Sequence, residues 1–475
     1  MRLAGVARHA RARQGLAAVM VALLAGCASV SPDGAIADVK QWVGGGHAGA
    51  LKPVVSEADE RDRTRAVDAL LSKPLGADDA VRLAMLNNRS VQAKLAEIGV
   101  AQAELAQASR LENPTLSFGK LRSGDEVEYE RAFRIDILGV LFIPWRTAIE
   151  TRKVEQEKLR VAGDITRIAL DTRKAWVNAV AAEQSARYMA DVNEAAEASA
   201  TLAKRMAAVG NFSKLAYARE QAYYAETIAQ LARARQAAIE ARERLVRLSG
   251  LAGQDAMRLT LPERLPDLPA KPREFDTAAQ TAVQHRLDIQ MAKHEVSGLA
   301  SALGLTRSTG FVNALETSYL RNSTNDGHRS RGYELELQLP LFDWSGAKVA
   351  RAEASYRIAF NRAAEVGINA ESELRTSYLG YRSAYDLAKH YRDEIVPLRK
   401  SISEENLLRY NGMLIGVFEL LADAREQVGS VNAYMEALRA FWEADANLEL
   451  AATAGGPTQQ QAEGPVGMPP ASGGH

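Results

Sequence analysis

The feature that most constrains the fold is an internal repeat: the stretch VGNFSKLAYAREQ at 209–221 returns as IGVFELLADAREQ at 415–427. Eight of the thirteen positions are identical, including a glycine, a phenylalanine two residues later and the closing Ala-Arg-Glu-Gln. This shared order of a glycine, an aromatic residue and helix formers indicates that the chain is built from two similar halves.

Each copy of the repeat follows a long stretch that predicts helix, over about 147–209 in the first half and 345–415 in the second. Only 6% of the chain is aromatic and alanine is abundant, which is typical of long, closely packed helices. A second helix then returns to about Leu248 or Leu450. We therefore expect each repeated stretch to be the tip between two antiparallel helices, where its glycine supplies the turn conformation.

Each half opens with another predicted helix, over 77–111 or about 276–306, and continues with alternating polar and apolar residues. This alternation predicts a strand with one polar and one apolar face, and Arg131 is the one polar residue out of phase. A turn signal precedes each such strand, at 123–125 and at 325–327. Each half is therefore predicted to contain one β-hairpin.

Four strands do not close a membrane barrel alone, because exposed sheet edges are unsatisfied in lipid and the smallest barrels have about eight strands. If the strands cross a membrane, several copies must share one barrel, with cyclic symmetry as the natural arrangement. Apolar residues such as Phe133, Ile135 and Leu335 would face lipid. The predicted lumen residues are Glu128, Glu130, Arg134, Asp136, Glu334 and Glu336. The same alternation would also suit a soluble sheet that caps a helical bundle.

The N-terminus has the features of an exported lipoprotein. Residues 1–26 combine a positively charged start with a short apolar core, as in a secretory signal peptide. The single cysteine follows in Leu24-Ala25-Gly26-Cys27, which matches the bacterial lipobox, so we expect the Cys27 thiol to be acylated. Ala28 and Ser29 come next, and the lack of an aspartate there favours the outer membrane.

These features predict a mainly α fold, with two long antiparallel helical hairpins and two β-hairpins that give four strands to a shared barrel. The sequence divides into a signal peptide at 1–26, a lipid-anchored arm at 27–76, a first repeat at 77–262, a second repeat at 263–453 and a disordered tail at 454–475.

Charge and motifs argue against several classes of protein. Lys and Arg number 59 and Asp and Glu also number 59, so the chain lacks the basic excess of a nucleic-acid-binding protein. The histidines are scattered, and no spacing of Cys, His and carboxylates predicts a metal site. No nucleophile elbow, phosphate loop or catalytic carboxylate pair is found, so we expect no enzyme activity and no cofactor.

In the order of its parts, the chain resembles the TolC-type outer-membrane efflux family, and most closely its lipoprotein branch of heavy-metal and multidrug channels. The resemblance rests on the lipobox, the duplicated order of elements, the run Leu339-Pro340-Leu341-Phe342-Asp343 and the tip from Tyr410 to Gly416. It implies a homotrimer with a twelve-stranded outer-membrane barrel above a helical tunnel through the periplasm. Such a passive conduit for small molecules or metal ions would bind a periplasmic adaptor and an inner-membrane pump.

The resemblance also implies roles for residues at the tips. The residues expected to contact the adaptor are Gly210, Phe212, Gly416 and Phe418. Glu419 and Asp423 fall where related channels place acidic residues that narrow the entrance, and a ring of carboxylates there would attract cations. Because their spacing departs from the common Asp-x-x-Asp pattern, they could equally be two solvated carboxylates one helical turn apart.

Two other functions stay open on the sequence. One is a lipid-tethered periplasmic coiled-coil adaptor or scaffold, although adaptors of that kind have one helical hairpin flanked by Gly- and Val-rich β modules. The other is a conduit for polypeptides in type I secretion.

Overall fold

The computed structural model describes residues 32–44, 48–274, 284–309, 315–337 and 345–455. The α-helices in these ranges are α1 Pro32–Val43, α2 Glu57–Leu71, α3 Ala77–Asn87, α4 Arg89–Ala108, α5 Ile137–Ala208, α6 Lys214–Leu248, α7 Gln254–Arg258, α8 Leu287–Thr309, α9 Gly346–His390, α10 Val396–Asn411 and α11 Val417–Thr453. The strands are β1 Thr115–Ser123, β2 Glu126–Asp136, β3 Leu315–Thr324 and β4 Arg329–Leu337. A 3₁₀ turn spans Ala48–Ala50 and a π-helical segment spans Tyr391–Ile395.

This order confirms the predicted fold of long helices and two β-hairpins. Each half contains a helix, a hairpin, a long outgoing helix and a returning helix; α5 alone has 72 residues and α6 has 35. In the described part of the chain, no helix combines enough length with enough apolar character to cross a membrane.

The start of α5 differs from the prediction. The helix begins at Ile137 rather than near Thr147, so β2 passes directly into it and Pro144 lies inside it. Proline lacks an N–H, so one backbone hydrogen bond of the helix is missing at this point. Here the Arg146 side chain crosses this turn, with Nη2 donating to Gly139 O at 3.0 Å.

The second outgoing helix is also less regular than predicted. Between α9 and α10 the backbone forms a π-helical turn, in which the Val396 N–H donates to Tyr391 O, five residues before it. Pro397 follows immediately and has no N–H for the carbonyl four residues earlier. The wider turn accommodates this break without ending the helical segment.

The predicted helix over 77–111 is divided in two at Asn88, whose backbone is extended at φ −70° and ψ 123°. The Asn88 Nδ2 atom donates to Leu248 O at 2.8 Å, at the end of α6, where carbonyls lack helical partners. Arg286 acts similarly in the second half, because its Nη1 donates to Ala451 O near the end of α11 at 3.0 Å. In each half, therefore, a polar side chain directly before the helix that leads to the β-hairpin holds the end of the returning helix.

The chain packs as two compact units, and each takes segments from both halves. The first comprises the described residues among Met1–Ala37, Glu97–Lys158 and Met291–Ala363, and the second those among Asp38–Ala96, Leu159–Gln290 and Ala364–His475.

The first unit contains the β-sheet. Its strands are ordered β1-β2-β3-β4 and every neighbouring pair is antiparallel, so the pairing of β2 with β3 joins the two hairpins. Asn325, in the turn of the second hairpin, strengthens this junction: its N–H donates to Val127 O at 2.9 Å and its Oδ1 accepts from Val127 N at 3.1 Å.

The second unit has an aromatic core between its helices. Phe441 of α11 contacts Tyr381 and Tyr385 of α9, with ring centroids 5.5 and 5.8 Å apart. Both phenol groups are satisfied by the segment that links the halves, since the Tyr385 hydroxyl donates to Ala270 O at 3.0 Å and the Tyr381 hydroxyl accepts from Arg273 N at 2.9 Å. This core fixes the linker onto the helices of the second half.

Candidate functional site

The register of the sheet sorts its side chains into two faces. Residues opposite one another on neighbouring strands share a face, and the face alternates along each strand. Glu130 is opposite Gly119, Arg134 is opposite Ser318, and Ser318 is in turn opposite Glu334. The six predicted lumen residues, Glu128, Glu130, Arg134, Asp136, Glu334 and Glu336, therefore all lie on one face, here called the polar face.

The polar face contains two further carboxylates that the sequence did not predict: Glu126, the first residue of β2, and Glu316 of β3. Glu316 lies in register between Asp136 and Glu336. Three adjacent carboxylates repel one another unless they are solvated or paired. Glu316 is partly paired, since its Oε2 lies 3.4 Å from Arg134 Nε. This face is thus acidic and suited to contact with water.

The opposite face, here called the apolar face, exposes large hydrophobic side chains from all four strands. Phe118, Phe133 and Leu335 are 72%, 41% and 67% exposed in the single chain. Tyr319 and Tyr333 lie opposite one another with ring centroids 5.3 Å apart. An exposed apolar sheet face of this kind is an interaction surface, either for protein or for lipid.

The first helical tip, between α5 and α6, has a well-formed turn. Gly210 has φ +83°, a left-handed conformation that favours glycine, and Asn211 N donates to Met206 O at 2.9 Å. Phe212 is buried with Ala203 and Ala216. Ser213 caps α6, because its Oγ accepts from Ala216 N at 3.1 Å.

The second tip, between α10 and α11, does not follow the first, and the prediction that Gly416 supplies a left-handed turn is wrong. Gly416 has φ −85° and ψ 163° and is the N-cap of α11, where it has no side chain to accept a hydrogen bond. The left-handed residue is Met413, with φ +59°. Leu414 N closes this turn by donating to Arg409 O at 2.8 Å, and Phe418 lies in the first turn of α11.

The two tips contact each other within the second unit. Val417 of the second tip packs against the cluster around Phe212. A buried ion pair lies nearby, with Arg425 Nη2 2.6 Å from Glu220 Oε1, and the Glu220 side chain is only 3% exposed. The Arg425 guanidinium also lies over the Tyr223 ring, 4.1 Å from its centroid.

These contacts give a role to the glutamate in the repeated Ala-Arg-Glu-Gln. In each hairpin its glutamate ties the returning helix to the outgoing one: Ser199 Oγ donates to Glu220 Oε2 at 2.9 Å, and Arg399 pairs with Glu426. In the second copy the arginine, Arg425, also joins the two hairpins. Nothing in the sequence pattern indicated this link, because it depends on how the helices pack.

The two predicted entrance carboxylates have different surroundings. Glu419 is exposed in the first turn of α11, whereas Asp423, one turn later, is 8% exposed. The Asp423 Oδ2 atom is buried without a hydrogen-bond partner among the described residues. In the single chain, therefore, only Glu419 is presented to solvent.

Cys27 and the Leu339–Asp343 run lie outside the described residues. Within the described ranges, no group of three or more His, Cys, Asp or Glu side chains is placed to hold a metal ion.

Comparison with known proteins identifies the fold. No family model matches the sequence, and no curated protein matches it either. Among solved structures, the chain is similar to a membrane protein from Pseudomonas aeruginosa, with a TM-score of 0.69, 17% identity, and coverage of 79% of this chain and 92% of that one.

The chain is also similar to the outer membrane protein VceC from Vibrio cholerae, with a TM-score of 0.67, 14% identity, and coverage of 80% of this chain and 96% of that one. The open state of the MtrE outer membrane channel from Neisseria gonorrhoeae gives a TM-score of 0.66 at 15% identity, over 79% of this chain and 88% of that one. At such identities the similarity establishes the fold, which is that of the TolC-type outer-membrane channels.

Proposed function

We propose that the chain is the outer-membrane channel of a tripartite efflux system, in which three copies form a passive conduit from the periplasm to the exterior. The observation that carries the proposal is the four-stranded sheet with its acidic face, its apolar face and the unpaired outer edges of β1 and β4. Strands of 9 to 11 residues have the length of membrane-spanning β-strands. Open edges are not satisfied in lipid, so copies must join edge to edge.

In this arrangement the polar face lines a water-filled lumen and the apolar face contacts lipid. The long helices extend into the periplasm, where the tips around Phe212 and Val417 contact a periplasmic adaptor and an inner-membrane pump. The exposed Met413 and Leu414, at 91% and 77%, give the second tip an apolar surface for such a partner. The adaptor contact that the sequence predicts also includes Gly210, Gly416 and Phe418.

The remaining assignments follow from the sequence. A signal peptide, 1–26, directs export, and acylation of Cys27 anchors the arm, 27–76, to the outer membrane. The repeats at 77–262 and 263–453 form the channel, with a tail at 454–475. The proposed lipoprotein branch would carry drugs or metal ions, and Glu419 with Asp423 would bias the entrance towards cations.

Reconstitution in planar bilayers tests the proposal. The purified protein should give discrete, cation-selective conductance steps, and neutralising lumen carboxylates in E128Q/E334Q/E336Q should lower the cation preference. The matched control is E57Q/D62N/D68N, which removes three exposed charges from α2 and should leave selectivity unchanged. A folded trimer that conducts no current would overturn the proposal and would favour a lipid-tethered scaffold.

A further inference from the structure

The sheet carries its acidic side chains on one face and nearly all its basic side chains on the other, whereas a water-filled lumen requires only that one face be polar. Every carboxylate of the four strands lies on the polar face: Glu126, Glu128, Glu130, Asp136, Glu316, Glu334 and Glu336. Of the strand cations, only Arg134 shares that face, where it pairs with Glu316. The others lie on the apolar face: Lys120, Arg122, Arg131, Arg321, Arg329 and Arg331. Arg131, which interrupts the polar and apolar alternation of its strand, is thus one of six cations on the apolar face.

These six residues, here called the basic band, are exposed, and within the described ranges none of them has a carboxylate partner. Lys120 Nζ lies 5.6 Å from the centroid of the Tyr129 ring, and Arg122 Nε donates to Gly124 O at 3.2 Å. Arg321 and Arg331 are directly opposite each other. Like charges in direct opposition destabilise a sheet, so the band is a surface that an anion would stabilise.

The position of the band along the strands is as informative as its charge. On β1, Leu116 and Phe118 precede Lys120 and Arg122, which lead into the hairpin turn. β4 shows the reverse order as it leaves its turn, with two arginines before Tyr333 and Leu335. On this face the strand ends that connect to helices therefore carry no cation, and the cations lie between the middle of each strand and the turn, together with Val127 and Tyr129 of β2. With a rise of about 3.3 Å per residue, successive rows on one face are about 7 Å apart.

We propose that the basic band binds phosphorylated lipid headgroups of the outer leaflet. This inference rests on the proposed function, in which the apolar face contacts lipid and the hairpin turns, opposite the periplasmic helices, point outwards. The hydrophobic residues would then lie against acyl chains, and the cations would reach the headgroup level above them. Arginine guanidinium groups bind phosphate through two parallel hydrogen bonds, and membrane-facing cations gain most from anionic lipid at the surface.

A titration of the full-length protein in detergent micelles, followed by native mass spectrometry, tests the proposal. The probes are diphosphoryl lipid A and the same lipid with its phosphates removed. We expect the wild type to retain the phosphorylated lipid preferentially, and R131Q/R321Q/R331Q to bind it about tenfold more weakly or worse. R131K/R321K/R331K keeps the charge and should retain most of the binding. R61Q/R235Q/R244Q, which removes three exposed helix arginines, should bind as the wild type does.

Conductance of the same samples separates the two proposals. If the wild type forms channels but binds both lipids equally, the headgroup site is wrong and the channel assignment stands. If binding depends on phosphate but the control triple variant loses as much of it as R131Q/R321Q/R331Q, the site lies elsewhere and the inference also fails. If the wild type conducts no current, the proposed function fails and the headgroup site fails with it. Retained phosphate preference in the wild type, lost only in R131Q/R321Q/R331Q, supports the proposal.

Discussion

The two helical tips have closely similar sequences but different local structures. The first places glycine, at Gly210, where the backbone is left-handed, buries Phe212 and caps α6 with Ser213. The second places a largely exposed methionine, Met413, in the left-handed position, and Gly416 leaves α11 without a side-chain cap.

The difference arises because the returning helices begin at different points relative to the repeat. The alanine that opens Ala-Arg-Glu-Gln is Ala218, the fifth residue of α6, but Ala424 is the eighth residue of α11. The second helix thus starts three residues earlier, and the repeated glycine becomes its cap instead of its turn. Since the second tip has a strained residue and no cap, we expect it to open locally before the first.

The largest effect should come from breaking the ion pair that joins the tips. Glu220→Ala leaves the Arg425 guanidinium without its buried partner and should cost about 2 kcal/mol locally, because Arg425 is itself partly exposed. Backbone hydrogen exchange in 199–225 should then be roughly thirty-fold faster. Glu419→Ala, which removes an exposed carboxylate nearby, is the control. Equal exchange in the two variants would show that the pair does not hold the tips together.

The next test makes the same substitution at both glycines. Gly210→Ser forces a side chain into the left-handed region and should destabilise the first tip by about 1 kcal/mol. Gly416→Ser supplies a cap at an extended position and should stabilise α11 by about a few tenths of a kcal/mol. Hydrogen exchange near each tip measures both changes. Effects of the same sign would mean that the tips are equivalent after all.

Met413 offers a further way to stabilise the second tip, with an effect no larger than that of Gly210→Ser. Met413→Gly removes the strain of φ +59° and should stabilise this turn by about 0.5–1 kcal/mol, after allowing for the flexibility of glycine. Leu414→Gly, at the adjacent residue without a positive φ, should give no gain. If both variants slow exchange around 410–418 equally, relief of backbone strain is not the cause.

Sequence reasoning succeeded where periodicity decides the structure and failed where packing does. Alternation of polar and apolar residues was enough to place Glu128 and Glu334 on one face, because the backbone of a strand fixes that period. The break at Asn88 and the early start of α5 escaped it, since both depend on side-chain hydrogen bonds to other segments or across a turn. The sequence identity between the two repeats also led to a wrong prediction for the backbone of Gly416, because its conformation depends on where α11 begins.

The smallest expected effect is a pH dependence at the junction of the tips. Burial raises the pKa of the Tyr223 phenol, while Arg425 lowers it and Glu220 raises it. The pKa of Tyr223 is thus higher in the folded chain than in the unfolded chain, where it is about 10. Neutral Tyr223 therefore contributes its full stability below about pH 10. This stability is lost as the pH rises towards the folded pKa. Tyr223→Phe should remove this contribution to the loss of folding stability at alkaline pH.

Two further variants determine whether Tyr223 lies between these charges. Glu220→Gln removes a nearby negative charge and should lower the pKa of Tyr223, whereas Arg425→Gln removes the cation over the ring and should raise it. Ultraviolet absorbance of the tyrosinate, corrected by the Tyr223→Phe titration, reports both shifts. Opposite shifts require one group of each sign beside the ring. Shifts in the same direction would mean that the hairpins separate when either partner is lost, and that the ion pair is what holds the second tip to the first.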